Sequence, residues 1–325
     1  MQTERHGALK VQRALKKPRI VSLLPSSTEI VCELGLRDQL VGRSHECDFP
    51  PDIRGLPACT RPKLNVQASS LEIDRQVNSL VRDALSIHQI DTGLLKELRP
   101  DIILTQAQCK VCAVSLAEVE QAVSGWGGFQ PRVLSLAPNS LADVWNDILN
   151  VAAALGVAER GVQLVARLKR RVESVAARTR HLTQRPSVAC IEWIDPLMAA
   201  GNWVPELVAL AGGLNLFGEA GKHSPWLNWE SVHQRDPDIV VVMPCGFDIE
   251  RTRREMTTLT ERPAWRTLRA VKKGGVYLAD GNRFFNRPGP RLVESLEILA
   301  AIIHPALFQS SQKRDGAAGA EPNSV

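Results

Sequence analysis

Two segments of this chain read alike. Leu98-Arg99-Pro100-Asp101-Ile102-Ile103 and Arg235-Asp236-Pro237-Asp238-Ile239-Val240 each end a helical pattern, turn at proline and enter a short apolar run. Each run then reaches a cysteine in a loop, Cys109 in one case and Cys245 in the other. Helix, Pro-Asp, strand is common turn chemistry, but it is also what two similar α/β halves would leave behind. The wider pattern favours the halves. Apolar runs at 20–24, 40–42, 101–105, 132–136, 187–193, 239–243 and 276–278 alternate with helical patterns such as 27–34, 115–124 and 141–155. Such alternation predicts parallel sheets with crossover helices, hence an α/β fold.

Between the halves, residues 158–184 carry no turn signal. Val162, Val165, Leu168, Val172, Val175, Thr179 and Leu182 fall at steps of three and four. A helix of that length spans about 40 Å. Arg167, Lys169, Arg170, Arg171, Arg178 and Arg180 fill its other faces and read as a solvated surface. A rigid connector of this kind gives two lobes a shared cleft and restrains hinge motion. The expected organisation is a basic arm at 1–18, a first lobe at 19–157, the helix at 158–184, a second lobe at 185–308 and a disordered tail at 309–325. Residues 64–94 read as a polar, irregular excursion of the first lobe.

Charge narrows the function classes. The net charge is +5, and residues 1–19, with six basic residues and one acid, account for all of it. The body has no net field to gather phosphates, so nucleic acid is an unexpected partner. No run approaches the ~18 apolar residues of a membrane span. The arm has no apolar core of a secretory signal, and seven cysteines cannot all pair within a monomer. A monomeric, cytoplasmic chain in a reducing compartment is the expectation.

In an open α/β sheet, loops at the carboxyl ends of strands line the ligand cleft. The loop Ser44-His45-Glu46-Cys47-Asp48-Phe49-Pro50 offers His45 and Cys47 as candidate ligands for a soft metal and Phe49 as a flat apolar face. His45 capping a turn and Cys47 packing as a small hydrophobe is the alternative. Gln106-Ala107-Gln108-Cys109-Lys110-Val111-Cys112 follows another strand. Its Cys-x-x-Cys reads as cleft thiols, half a zinc site that His45 and Cys47 could complete, or a redox pair. Trp193, Trp203, Trp226, Trp229, Phe284 and Phe285 form an aromatic group. Large rings stack on flat ligands and also fill cores. Trp203, beside Gly201 and Asn202, is the preferred ligand contact, and Trp229 the structural one. Glu192 and Asp195 read as polar contacts, because no nucleophile or phosphate loop accompanies them.

The run from Arg19, Arg-Ile-Val-Ser-Leu-Leu-Pro-Ser-Ser-Thr-Glu-Ile-Val-Cys-Glu-Leu-Gly-Leu, then Leu40–Ser44 and Cys47-Asp48-Phe49-Pro50-Pro51, resembles the cobalamin-binding proteins of bacterial ABC importers. These belong to a wider family that holds iron-siderophores, haem or cobalamin between two lobes joined by a long helix. The resemblance spans about 19–305. It continues through 196–201, 206–217, Trp226, Trp229-Glu230 and Phe284-Phe285-Asn286-Arg287-Pro288-Gly289-Pro290-Arg291. It implies a corrinoid such as cobalamin bound in the cleft for uptake, storage or delivery, with no turnover and no catalytic cofactor. First-lobe candidates for ligand contact are Pro25, Ser26, His45, Cys47, Phe49, Gln106 and Gln108. Those of the second lobe are Trp193, Trp203, Cys245, Phe284 and Phe285. His45 and Cys47 are the candidate axial ligands to the ligand-borne metal.

Relatives that feed an importer dock through one acid on each lobe. Glu230 matches the second, while the first-lobe position is Gly93, with Asp91 two residues earlier. Two other readings stay open. A siderophore or haem would need Arg43, Arg283, Arg287 and Arg291 to converge on its anionic groups. A thiol-based redox or metal enzyme would need Cys47, Cys109, Cys112 and Cys245 to converge.

Overall fold

The computed structural model describes residues 17–82, 87–107, 114–308 and 316–319. The first lobe runs β1 (Ile20–Ser22), α1 (Pro25–Glu33), β2 (Leu40–Arg43), β3 (Thr60–Pro62), α2 (Ser70–Arg82), β4 (His88–Ile90), α3 (Thr92–Leu98), β5 (Ile102–Gln106), α4 (Leu116–Ser124), β6 (Arg132–Leu136) and α5 (Leu141–Ala154). α6 (Ala158–Thr179) connects it to the second lobe. That lobe runs β7 (Ser187–Trp193), β8 (Met198–Ala199), α7 (Val204–Leu210), β9 (Leu214–Asn215), α8 (Trp229–Arg235), β10 (Ile239–Val242), α9 (Ile249–Glu255), α10 (Thr257–Thr260), α11 (Arg269–Lys272), β11 (Val276–Ala279), α12 (Leu292–Ile303) and β12 (Ala317–Gly319).

The first sheet is all parallel, in the order β2-β1-β5-β6. Strand alternation sends Ile20, Ile102 and Leu104 against α1 and α5, and Val21 and Ile103 against α3 and α4. The second sheet has the order β12-β11-β10-β7-β8, with β9 beside β7. Its β7, β10 and β11 are parallel. Parallel strands are covered on both faces, which explains their nearly unbroken apolar runs.

The two Pro-Asp segments do the same work. Arg99 ends α3 and Asp236 ends α8, each in the left-handed conformation, at φ 43° and 42°. The following acid then ties down a neighbouring strand. Asp101 Oδ2 accepts from Arg19 N at 2.7 Å, just before β1. Asp238 Oδ2 accepts from Ser187 N at 3.0 Å, at the start of β7. The repeat is therefore a structural one.

α6 is shorter than expected, ending at Thr179, whose hydroxyl bonds the Leu210 carbonyl at 2.7 Å. Its buried stripe is Gly161, Leu164, Val165, Leu168, Val175, Ala176 and Thr179, and Val162 faces solvent. Several of its basic residues are ion-paired rather than merely solvated. Arg167 reaches Glu33 of the first lobe, and Arg171 grips Glu297 of α12 through two bonds of 3.0 and 2.8 Å. One apolar core runs without interruption through α1, α5, α6, α7 and α12, so it belongs to both lobes.

Two expectations are corrected. Residues 64–94 are not irregular: they contain α2, β4 and the start of α3, with β3 and β4 antiparallel. α2 buries only Ser70 and Ile73, which left little apolar period to read. Within the tail, Ala317–Gly319 forms β12, antiparallel to β11.

The α5–α6 contact generates a test. A Cβ on Gly161 would lie 2.5 Å from the Ala152 Cβ, so the glycine permits the close approach. Alanine favours a free helix by about 1 kcal/mol over glycine. Here Gly161→Ala is expected to destabilise the fold by about 1–3 kcal/mol through overpacking. Urea unfolding measures the sign, and a more stable variant would contradict the packing.

Candidate functional site

Loops that follow strands of both lobes meet, the loop after β2 being bonded to the segment after β11. From the first lobe come the N-terminus of α1 and the loop after β2; from the second come the loops after β7, β10 and β11. Two of these loops carry cis prolines, at Phe49-Pro50 and Asp195-Pro196. Gly281 lets the β11 loop rest on the β10 loop, since a Cβ there would sit 2.2 Å from the Pro244 carbonyl oxygen. Asp280 shapes the turn that follows by accepting from Arg283 N at 2.8 Å.

A buried charge cluster forms the floor where the lobes meet. Arg287, from the second lobe, donates to Asp48 Oδ1 at 2.6 Å, to the Glu46 carbonyl at 3.3 Å and to Asn282 Oδ1 at 3.0 Å. Its Nη1 also lies 3.6 Å from Glu29 Oε1 on α1. Arg291 is held between the rings of Phe49 at 4.1 Å and Phe284 at 4.4 Å, with Nη1 3.9 Å from Glu29. Glu29 is 2% exposed, and neither carboxylate oxygen has a hydrogen-bond partner. Burial pushes its pKa up to about 8, with Arg287 and Arg291 pulling the other way. Burial alone would raise Asp48, but the hydrogen bond and charge of Arg287 bring it below the usual range. Sequence reasoning had weighed both arginines as anion contacts and had not seen Glu29.

Ser26 is buried in this junction, where a Cβ added to Gly289 would come within 3.4 Å of its Cα, while Pro25 beside it is half-buried. His45 is half-buried. Its ring contacts that of His88, centroids 5.4 Å apart. Thr60 donates to Ser44 Oγ at 3.0 Å, so the Thr60 oxygen accepts from His45 Nδ1 at 2.8 Å. That tautomer leaves the Nε2 lone pair as the coordinating position. Burial, with the charges of His88 and Arg43, lowers the His45 pKa to about 4, so the imidazole is neutral near pH 7.

Cys47 is a correction. It is 1% exposed, accepts a bond from Thr28 Oγ1 at 3.0 Å, and burial pushes its thiol up to about 12. It packs as a small hydrophobe and has no path to a ligand-borne metal. Cys32 and Cys190 are likewise pushed up to about 12 and Cys59 to about 11, which removes thiolate chemistry from these four. Cys245 is half-buried, its amide donating to the Glu192 carbonyl at 3.1 Å. Gln106 is buried at the end of β5. Gln108, Cys109 and Cys112 lie outside the described residues. Among the described residues, no group of three or more metal-ligating side chains is gathered.

The aromatic residues sort differently from expectation. Trp203 is buried, with its indole N–H on the Phe285 carbonyl at 2.9 Å. Phe284 and Phe285 are 4% and 0% exposed. All three belong to the shared core rather than an open ligand surface. Trp193 is half-buried, bonded through its N–H to the Asp195 carbonyl at 3.1 Å and set against Phe247 with centroids 5.3 Å apart. Trp229 stacks on Trp265, the structural role expected of it. Trp226 is 61% exposed and bridges to Met198, which pairs with Trp193 at the carboxyl end of β7. It is the one aromatic side chain among the exposed large hydrophobics of the described residues. In the sequence nothing separated it from its neighbours. Glu192 accepts from Ser224 at 3.0 Å, and Asp195 lies 3.7 Å from Arg262.

The floor predicts a pH dependence. Glu29 has its pKa raised from 4.5, so its stabilising form is protonated, fully present below about 4.5 and lost as pH rises through about 8. Glu46 and Asp147, both pushed up to about 7 by burial, add a fall at lower pH. Glu29→Gln is expected to flatten the loss of thermal stability between about pH 4.5 and 8. Melting curves across that range measure it, and an unchanged slope would remove Glu29 from the account.

Comparison with known proteins follows the same geometry. The periplasmic binding protein family model matches residues 20–282. The chain is 22% identical over 303 residues to an uncharacterized ABC transporter substrate-binding lipoprotein of Bacillus subtilis, covering 90% of this chain and 82% of that protein. It is 24% identical over 286 residues to the vitamin B12-binding protein of Vibrio cholerae, covering 86% of each. A periplasmic heme-binding protein from Roseiflexus superposes with a TM-score of 0.66 at 22% identity, covering 90% of this chain and 99% of that one. That likeness establishes the two-lobed fold. With the family match spanning most of its length, the chain belongs to the periplasmic binding protein family.

Proposed function

We propose that the chain binds a corrinoid of the cobalamin type between its lobes, for uptake, storage or delivery and without turnover. The observation that carries this reading is the state of the arginines. A siderophore or haem brings carboxylates or other anionic groups that need free cations. Arg287 is engaged by Asp48, and Arg291, 5% exposed, is enclosed between two aromatic rings with its Nε 3.5 Å from Glu294. Arg43 donates to the carbonyls of Leu56, Ser44 and Arg54. Only Arg283 of the four considered is exposed. A corrinoid periphery is built from neutral amides and methyl groups, which suit a rim with an exposed indole and few free charges.

Two further features support it. Trp226 offers a flat apolar face to a macrocycle, and His45 keeps a neutral imidazole nitrogen for an axial position on cobalt. The curated relative from Vibrio cholerae is a vitamin B12-binding protein. Glu230, exposed in the first turn of α8, is the proposed contact with an ABC importer. Its first-lobe counterpart Gly93 carries no charge, while Asp91 caps α3 by accepting from Leu94 N at 2.9 Å.

Absorption titration with aquocobalamin and, separately, with haem tests the ligand class. Cobalamin is expected to bind at micromolar strength or better, roughly −8 kcal/mol. Trp226→Ala should weaken it about tenfold through lost stacking, and His45→Ala should shift the spectrum of the bound form. Haem binding with no retention of cobalamin would reverse the choice of ligand, and retention of neither would sink the reading.

A further inference from the structure

We propose that α2 is a strap that crosses the mouth of the interlobe cleft and controls ligand exchange, with Arg251 as its positioning residue. The proposal rests on the cleft reading above, but the fastening it describes is visible without a ligand.

α2 belongs to the first lobe by sequence, yet its first turn is fixed to the second. Ser70 gives both its amide, at 3.3 Å, and its hydroxyl, at 3.0 Å, to Glu255 Oε2 on α9. Just ahead of α2, the Ala68 carbonyl accepts from Arg251 Nη2 at 2.8 Å. Arg251 and Glu255 stand one turn apart on α9, so a donor and an acceptor meet the same turn of α2. One turn further along α2, burial raises the pKa of Asp74 against the lowering effect of its hydrogen bond from Asn78. The start of α2 is thus tied to α9, the helix that follows β10.

The fastening is also wired to the cleft. The Arg251 guanidinium lies 3.6 Å over the Phe247 ring, and Phe247 supports Trp193 at 5.3 Å. A ring system stacked near Trp193 would press on Phe247, and through it on the cation that holds Ala68. The rest of α2 is lightly attached: among its residues only Ser70 and Ile73 are buried. A helix held mainly by polar bonds at one end can release without disturbing the shared core, because those bonds exchange readily for water.

The test has a ligand-free arm and a kinetic arm. Arg251→Met keeps the stem and removes the donor and the charge; Ser70→Ala with Glu255→Gln removes the second tie; Arg251→Lys keeps a cationic donor. In unliganded protein, amide hydrogen exchange in residues 70–82 should speed up about tenfold in Arg251→Met and in the double variant, the factor expected for one charged hydrogen bond. Exchange in α5 should stay unchanged, and Arg251→Lys should resemble the parent. In stopped-flow mixing with aquocobalamin, both association and dissociation should accelerate by about the same factor, leaving Kd nearly constant. Unchanged exchange in 70–82 would overturn the strap whatever the ligand. Loosened exchange with unaltered ligand rates would also overturn it, as would a change in Kd alone. A parent protein that binds neither corrinoid nor haem would refute the proposed function, and the hydrogen-exchange arm would then decide the fastening by itself.

Discussion

Everything about the cleft depends on how a buried arginine is neutralised. Arg287 is 6% exposed, and an isolated guanidinium there would carry a desolvation cost of several kcal/mol. Asp48 and the Glu46 carbonyl come from the first lobe, Asn282 from the second. The arginine is satisfied only when both lobes are in place. Such a junction adds little net stability compared with an apolar contact of the same size. It specifies geometry instead, since any displacement of one lobe leaves a charge without partners.

The apolar arrangement points the same way. The shared core passes through α6 and α12, and α6 pairs Arg167 with one lobe and Arg171 with the α12 of the other. Large hinge motion would have to open this core. The first turn of α2, by contrast, is held by a few partly buried polar bonds. Rigidity below and looseness above suit a molecule that keeps a formed pocket and admits its ligand from one side.

The fold was legible where chemistry is local. Pro-Asp turns announce β5 and β10 because proline cannot continue the helix and aspartate bonds the start of the neighbouring strand. Ser115 and Ser140 mark α4 and α5 through capping boxes with Glu118 and Asp143. α2 was not legible, because contacts to the other lobe hold it rather than an apolar stripe. The site was legible only in part. His45 was found from its place after a strand. Cys47 was misread because ligand chemistry and burial favour the same residue type. Trp203, preferred as a ligand contact, is a core residue, since an indole near a glycine looks the same in sequence whether it turns in or out. The charge cluster left no local trace: Arg287 and Asp48 are 239 positions apart.

The short strand β12 has a consequence for how the molecule behaves in a crowd. By pairing antiparallel with β11 through Tyr277, Leu278 and Ala279, it occupies the outer edge of the second sheet. An uncovered parallel sheet edge offers unpaired amides and carbonyls to any extended chain that arrives. Three residues close that template from within the same molecule. With β12 in place, β11 presents no open ladder for a second chain to extend.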